Sequence, residues 1–173
     1  MHTSSVINIS RSAIDANFRT IREMIGPTVR VSSVVKANAY GHGLDIYPPL
    51  AESLGIDHFS VFSFDEAVLV KKYTKEADIC VMGMISEEQI PEALEKGIEM
   101  FIFDLYLLDL VLKEAKKLNV PAKIHVELET GMHRTGIEKN ELNTVIRILE
   151  ENNKHLILKG LCTHLAGPES IAN

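Results

Sequence analysis

The sequence predicts an α/β fold in which parallel strands are covered by helices, and three observations carry that reading. Short apolar runs recur along the 173 residues with helical patterns between them. Most runs are apolar on both sides rather than alternating, as strands are when neighbours and covering helices bury both faces. The unusual polar residues gather at the carboxyl ends of those runs, the side on which parallel α/β folds place their sites.

Each element has its own signal. Ser10 is a plausible N-cap for a helix in which Ile14, Phe18, Ile21 and Ile25 recur at helical spacing. "VRVSSVVKA", from Val29, is the first strand and carries Lys36 at its end. "LDIYPPLAESLG" begins its helix near Pro49, since proline suits a first turn. "HFSVFS" from His58 and "DICVMG" from Asp78 are the next strands. Ser86 opens "SEEQIPEALEKG", a helix with acidic residues in its first turn and Gly97 as its stop. "MFIFD" from Met100 precedes "LYLLDLVLKEAKKLN", a longer helix whose closing lysines suit a C-terminus. "AKIHVELE" from Ala122 is the fifth strand. A helix with a stripe of Leu142, Val145, Ile146 and Leu149 follows, and then "LKGLCTHLA" from Leu158, the sixth strand. About six β/α units therefore follow one leading helix, a count that an open doubly wound sheet or a barrel accepts.

The chain is long enough for one domain with a sizeable core. Its formal net charge of -6 argues against a nucleic-acid binder, though a local site can still be positive. The greasiest run, "MFIFDLYLLDLVL", is interrupted by Asp104 and Asp109 and is too short to span a bilayer. "MHTSSVINISRS" lacks the apolar segment of a signal peptide. Cys80 and Cys162 lie in apolar runs and read as buried free thiols, which suits a reducing cytoplasm.

The polar residues come next, each with its plain alternative. Lys36 could merely snorkel to water from a strand end. Within "VVKANAYGHG" it could instead form a Schiff base with an aldehyde, since an enclosed amine has a lowered pKa and stays nucleophilic. Tyr40 and the glycine-flanked turn then offer a hydroxyl and exposed backbone amides to a phosphate. An aldehyde together with a phosphate describes pyridoxal 5'-phosphate. His42 reads as a residue that orients the turn, and no metal site is expected. Arg134 in "ETGMHRTG" is either a surface loop arginine or a fixed cation facing a ligand oxygen. Gly131 and Gly136 let its loop bend sharply. Alternation along "IHVELET" puts Ile124, Val126 and Leu128 on one face and His125, Glu127 and Glu129 on the other. An inward carboxylate needs a partner, and Arg134 is the candidate for Glu127. His164 in "CTHLAG" is either a satisfied core histidine or a ring that stacks on a planar cofactor.

Three of these stretches carry a resemblance. "VVKANAYGHG" resembles the cofactor-lysine motif of alanine racemases, the barrel-type pyridoxal-phosphate enzymes. "ETGMHRTG" is similar to that family's acid-Thr-Gly-Met-x-Arg-x-Gly loop, and "CTHLAG" to its histidine strand, in matching order and spacing. The resemblance implies a parallel TIM-type (β/α) barrel, here with about six of eight strands, and an N-terminal cofactor-binding domain over residues 1–173. It implies interconversion of L- and D-alanine for peptidoglycan by a cytoplasmic homodimer. Lys36 would hold pyridoxal 5'-phosphate and act as the base on one face of the substrate. Tyr40 would bond the phosphate. Arg134 would bond the cofactor's phenolic oxygen and lie near the substrate carboxylate, and His164 would stack on the pyridine ring.

Two departures stand out. Several family members carry a carbamylated lysine two residues before the acid-Thr-Gly segment, where this chain has Glu127. Family members also continue into a β-rich C-terminal domain that supplies a catalytic tyrosine for the opposite face. The expectation is therefore that this chain is the N-terminal part of such a racemase and is not competent alone. The runner-up is a pyridoxal-phosphate carrier or homeostasis protein of the same barrel. A barrel-type amino-acid decarboxylase and a scaffold without activity are weaker readings.

Overall fold

The computed structural model describes residues 5–167 of the chain. Two compact units divide it, Met1–Cys80 and Val81–Asn173.

In the first unit, helix α1 (Arg11–Ile25) starts where expected, with the Ser10 hydroxyl accepting from the Ala13 N–H at 3.3 Å. Gly26 ends it at φ 83°, a left-handed value open to glycine. Its apolar stripe is real but little covered: no α1 residue is buried, and Ile21 is 41% exposed. Strand β1 (Ser33–Val34) pairs in parallel with β2 (His58–Val61), Ser33 beside Phe59 and Val34 beside Ser60. Between them come a left-handed turn, α2 (Lys36–Tyr40), and helix α3 (Tyr47–Glu52), which starts two residues before Pro49. Helix α4 (Phe64–Tyr73) follows β2, and β3 (Asp78–Val81) begins with the Asp78 N–H donating to Asp57 O at 3.0 Å. Arg30 ties the amino ends of β2 and β3, reaching Asp57 at 3.1 Å and Asp78 at 3.0 Å.

In the second unit, helix α5 (Ile90–Glu95) begins four residues after Ser86, because residues 86–89 form a turn first: Gln89 N–H donates to Ser86 O at 3.0 Å. Strand β4 (Glu99–Ile102) leads to helix α6 (Leu105–Leu118), which Asp104 caps by accepting from the Leu107 N–H at 2.7 Å. The aspartate that interrupts the apolar run is thus the helix's start signal. Strand β5 (Ala122–Leu128), helix α7 (Leu142–Glu151) and strand β6 (Leu156–Thr163) complete the unit. β5 lies between β4 and β6, parallel to both, with a register shift between Ile124 and His125 on the β6 side. Of the face that alternation predicts, Ile124 and Val126 are buried and Leu128 is half-buried.

All six apolar runs thus contain a strand, and helices separate them. The first run is the exception in extent, since only two of its residues pair as a strand. Among the described residues no helix is long and apolar enough to cross a membrane.

Candidate active site

The lysine does not close the first strand. Val35 still donates its N–H to Ser60 O at 2.8 Å, continuing the path beside β2, and Lys36 then opens α2. Ala37, Asn38, Ala39 and Tyr40 follow with φ of 52°, 56°, 53° and 53°. Four consecutive side-chain-bearing residues in the left-handed region cost on the order of 4–8 kcal/mol relative to right-handed backbone. Such strain persists only where surrounding contacts over-determine it.

Those contacts are on hand. Asn38 Oδ1 accepts from the Leu44 N–H at 3.0 Å, and Gly43 N–H donates to Asn38 O at 3.0 Å. His42 Nδ1 lies 2.8 Å from Ala39 O, so the histidine orients the turn as its sequence context suggests. Glu66 Oε1 accepts from the Ala37 N–H at 2.6 Å. The turn is thereby closed on itself. The N–H groups of Gly41, His42, Gly43 and Leu44 all bond within it, which corrects the expectation that its amides stand free for a phosphate. What the turn presents outward is side chains. Lys36 is half-buried, and Tyr40 is 61% exposed with its hydroxyl unbonded among the described residues.

Glu127, Arg134 and His164 belong to the second unit. Glu127 sits near the end of β5, 4% exposed and opposite Cys162 of β6. That thiol is pushed up to about 12 by its burial and, second, by the Glu127 charge. Both cysteines are free, Cys80 buried and Cys162 half-buried. Arg134 lies in the loop that leaves β5 and returns at Ile137, whose N–H donates to Glu127 O at 2.8 Å. Gly136, at φ 124°, makes that return possible: a Cβ there would stand 2.5 Å from Glu129 N.

The expected Glu127–Arg134 ion pair is not formed among the described residues. Glu129 governs the loop instead. Its carboxylate accepts from the N–H of Gly131 and is held below the ordinary value by that bond first, and also by the N–H groups of His133 and Arg134. The Arg134 side chain is exposed and makes no ion pair among the described residues. His164 directly follows β6 and is exposed, so it is not a core histidine. Two threonines join its strand to the arginine loop: Thr163 Oγ1 and Thr130 Oγ1 are 2.6 Å apart, and Thr163 Oγ1 donates to Leu128 O at 2.9 Å.

Sequence reading singled out neither Glu66 nor this threonine pair, and it put Glu129 on a face with Glu127 rather than on its own loop. Only Glu66 left a signal, the S-x-x-E of "SFDE".

The residues suit pyridoxal 5'-phosphate by donor chemistry. Among the described residues, a half-buried amine and a phenol without a hydrogen bond share one turn of the first unit, and in the second unit a guanidinium without an ion pair and an exposed imidazole follow two neighbouring strands.

Strands, helices and polar carboxyl ends together define a parallel (β/α) domain that presents a lysine after its first strand. The sequence profile "Alanine racemase, N-terminal domain" matches residues 9–172. The chain belongs to the alanine racemase family. It is 34% identical over 164 residues to an alanine racemase of Methanococcus maripaludis, covering 94% of this chain and 43% of the relative. It is 35% identical over 162 residues to one of Francisella tularensis subsp. novicida, covering 94% and 43%. Among solved structures, the Bacillus anthracis alanine racemase with bound L-Ala-P superposes with a TM-score of 0.82 at 30% identity, covering 93% of this chain and 42% of that one. The Oenococcus oeni alanine racemase gives 0.84 at 26% identity, covering 94% and 47%. The six parallel strands alternating with helices thus match the N-terminal barrel domain of these enzymes. The chain spans about 43% of the length of the curated relatives it matches.

Proposed function

We propose that this chain is the N-terminal barrel portion of a pyridoxal 5'-phosphate-dependent racemase that interconverts L- and D-alanine. The observation that carries the reading is Lys36, set after the first parallel strand at the head of a strained turn, in a chain matched by the racemase N-terminal profile from residue 9 to 172. When bound, the cofactor supplies the conjugated electron sink that makes the α-proton of an amino acid removable.

The chain's own residues do the rest. Lys36 would hold the cofactor through Nζ, and its amine would take or return the α-proton on one face of the substrate. The Tyr40 hydroxyl would donate to the phosphate. Arg134 would offer its guanidinium to the cofactor's phenolic oxygen and to the substrate carboxylate. The His164 ring would lie against the pyridine ring. Glu127 supplies a buried carboxylate near the end of β5, the strand that leads into the arginine's loop.

Inversion needs a proton removed on one face and delivered on the other. One lysine does not serve both, so the segment of 173 residues expressed alone is expected not to racemise alanine. The full-length protein is expected to act as a cytoplasmic homodimer supplying D-alanine for peptidoglycan. The test is racemisation by the full-length protein with added cofactor. L-alanine should lose optical activity in the wild type and keep it in Lys36→Ala. Full racemisation by Lys36→Ala would overturn the reading.

A further inference from the structure

We propose that Glu66 is the positioning residue for Lys36. Its carboxylate serves two elements at once. Oε2 accepts from the N–H groups of Phe62 at 3.1 Å and Ser63 at 3.3 Å, while the Ser63 hydroxyl accepts from the Glu66 N–H at 3.3 Å, which closes the capping box of α4. Oε1 reaches the other way and accepts from the Ala37 N–H at 2.6 Å, one peptide beyond Lys36. The box fixes the carboxylate's direction before it meets the turn.

The strained turn needs that anchor. Its other side-chain bonds, from Asn38 and His42, arise within the stretch 35–44 and would move with it. Among the described residues, Glu66 is the side chain from outside the stretch that hydrogen-bonds the turn. A carboxylate accepting from a backbone N–H is among the stronger hydrogen bonds. It acts at the first left-handed residue, where the chain leaves the path beside β2. The direction in which Lys36 projects is therefore set by the helix that follows β2. Glu66 touches neither substrate nor cofactor in this account.

Glu66→Gln separates the two duties. Glutamine still completes a capping box through its one carbonyl oxygen, but its second terminal atom is a donor and cannot accept from Ala37. The importance of Lys36 rests on the racemase reading, so the experiment on the full-length protein reads both. Amide hydrogen exchange across residues 37–43 and 64–73 is compared in wild type, Glu66→Gln and Ser63→Ala. In parallel, the rate at which pyridoxal 5'-phosphate labels Lys36 is measured after borohydride reduction. In Glu66→Gln, exchange across 37–43 should rise at least tenfold, α4 should stay protected, and labelling of Lys36 should slow several-fold. Ser63→Ala should loosen the start of α4 and leave 37–43 protected. Unchanged exchange across 37–43 in Glu66→Gln overturns the proposal, as does faster exchange with unaltered labelling. Equal loss of protection across 37–43 in Ser63→Ala also overturns it, because helix stability rather than the carboxylate would then hold the turn. A wild type that takes no label on Lys36 overturns the racemase reading, and the role of Glu66 with it. Unchanged exchange in a protein that does label overturns the Glu66 proposal alone.

Discussion

Glu127 and Glu129 stand two residues apart, yet they end in different chemistry. Glu127 is buried opposite Cys162, and burial together with its charge pushes that thiol up to about 12. Glu127→Gln removes the charge and leaves the burial, so the Cys162 pKa should fall and its alkylation by iodoacetamide at pH 9 should quicken. The gain should stay below about tenfold, because desolvation is the larger cause. An unaltered rate would show that the charge does not reach the thiol. Glu129 accepts from its own loop, so its carboxyl is held below the ordinary 4.5. A depressed folded-state pKa stabilises the loop above the unfolded value, and that support is lost as pH falls through the lower folded value. The Gly131 amide proton shift should therefore titrate with a midpoint below 4.5, and Glu129→Gln should abolish the titration. Period-two alternation put Glu127 and Glu129 on one side of β5. It could not tell that Glu129, one residue past the strand's end, would turn back on its own loop, because that depends on the loop's closure at Ile137.

At the scale of elements, glycine announced its turns and alanine did not. Gly131 and Gly136 marked a bending loop, and both adopt positive φ, 121° and 124°. They differ in what surrounds them. A Cβ on Gly131 meets nothing within 4 Å, whereas one on Gly136 would come 2.5 Å from backbone. Gly131→Ala should cost about 1–2 kcal/mol of stability for its backbone conformation alone. Gly136→Ala should cost more in urea unfolding, and equal costs would contradict the close approach. The lysine turn was less legible. Its glycines, Gly41 and Gly43, were visible in sequence, but the left-handed path of Ala37 to Tyr40 was not. Neither alanine nor tyrosine favours that region, so the conformation is imposed by contacts, chiefly Asn38 within the turn and Glu66 from α4. Asn38→Ala leaves the Leu44 N–H without its partner and should destabilise the protein by about 1 kcal/mol. The short β1 has the same origin, because the chain turns away at Lys36.

For the whole molecule, the alternation of apolar runs and helical stripes was enough to place six strands in order, and three motifs placed the polar residues at their carboxyl ends. Alternation alone accepts two architectures; the three motifs' resemblance to alanine racemases implied the barrel, and the likeness to solved racemases bears it out. Lys36 is proposed as the group that takes the cofactor. That role is tested most directly by reducing the full-length protein with borohydride in the presence of pyridoxal 5'-phosphate and mapping the labelled peptide. One pyridoxyl group is expected, on Lys36. A label on another lysine, or none on a protein that racemises alanine, would contradict it.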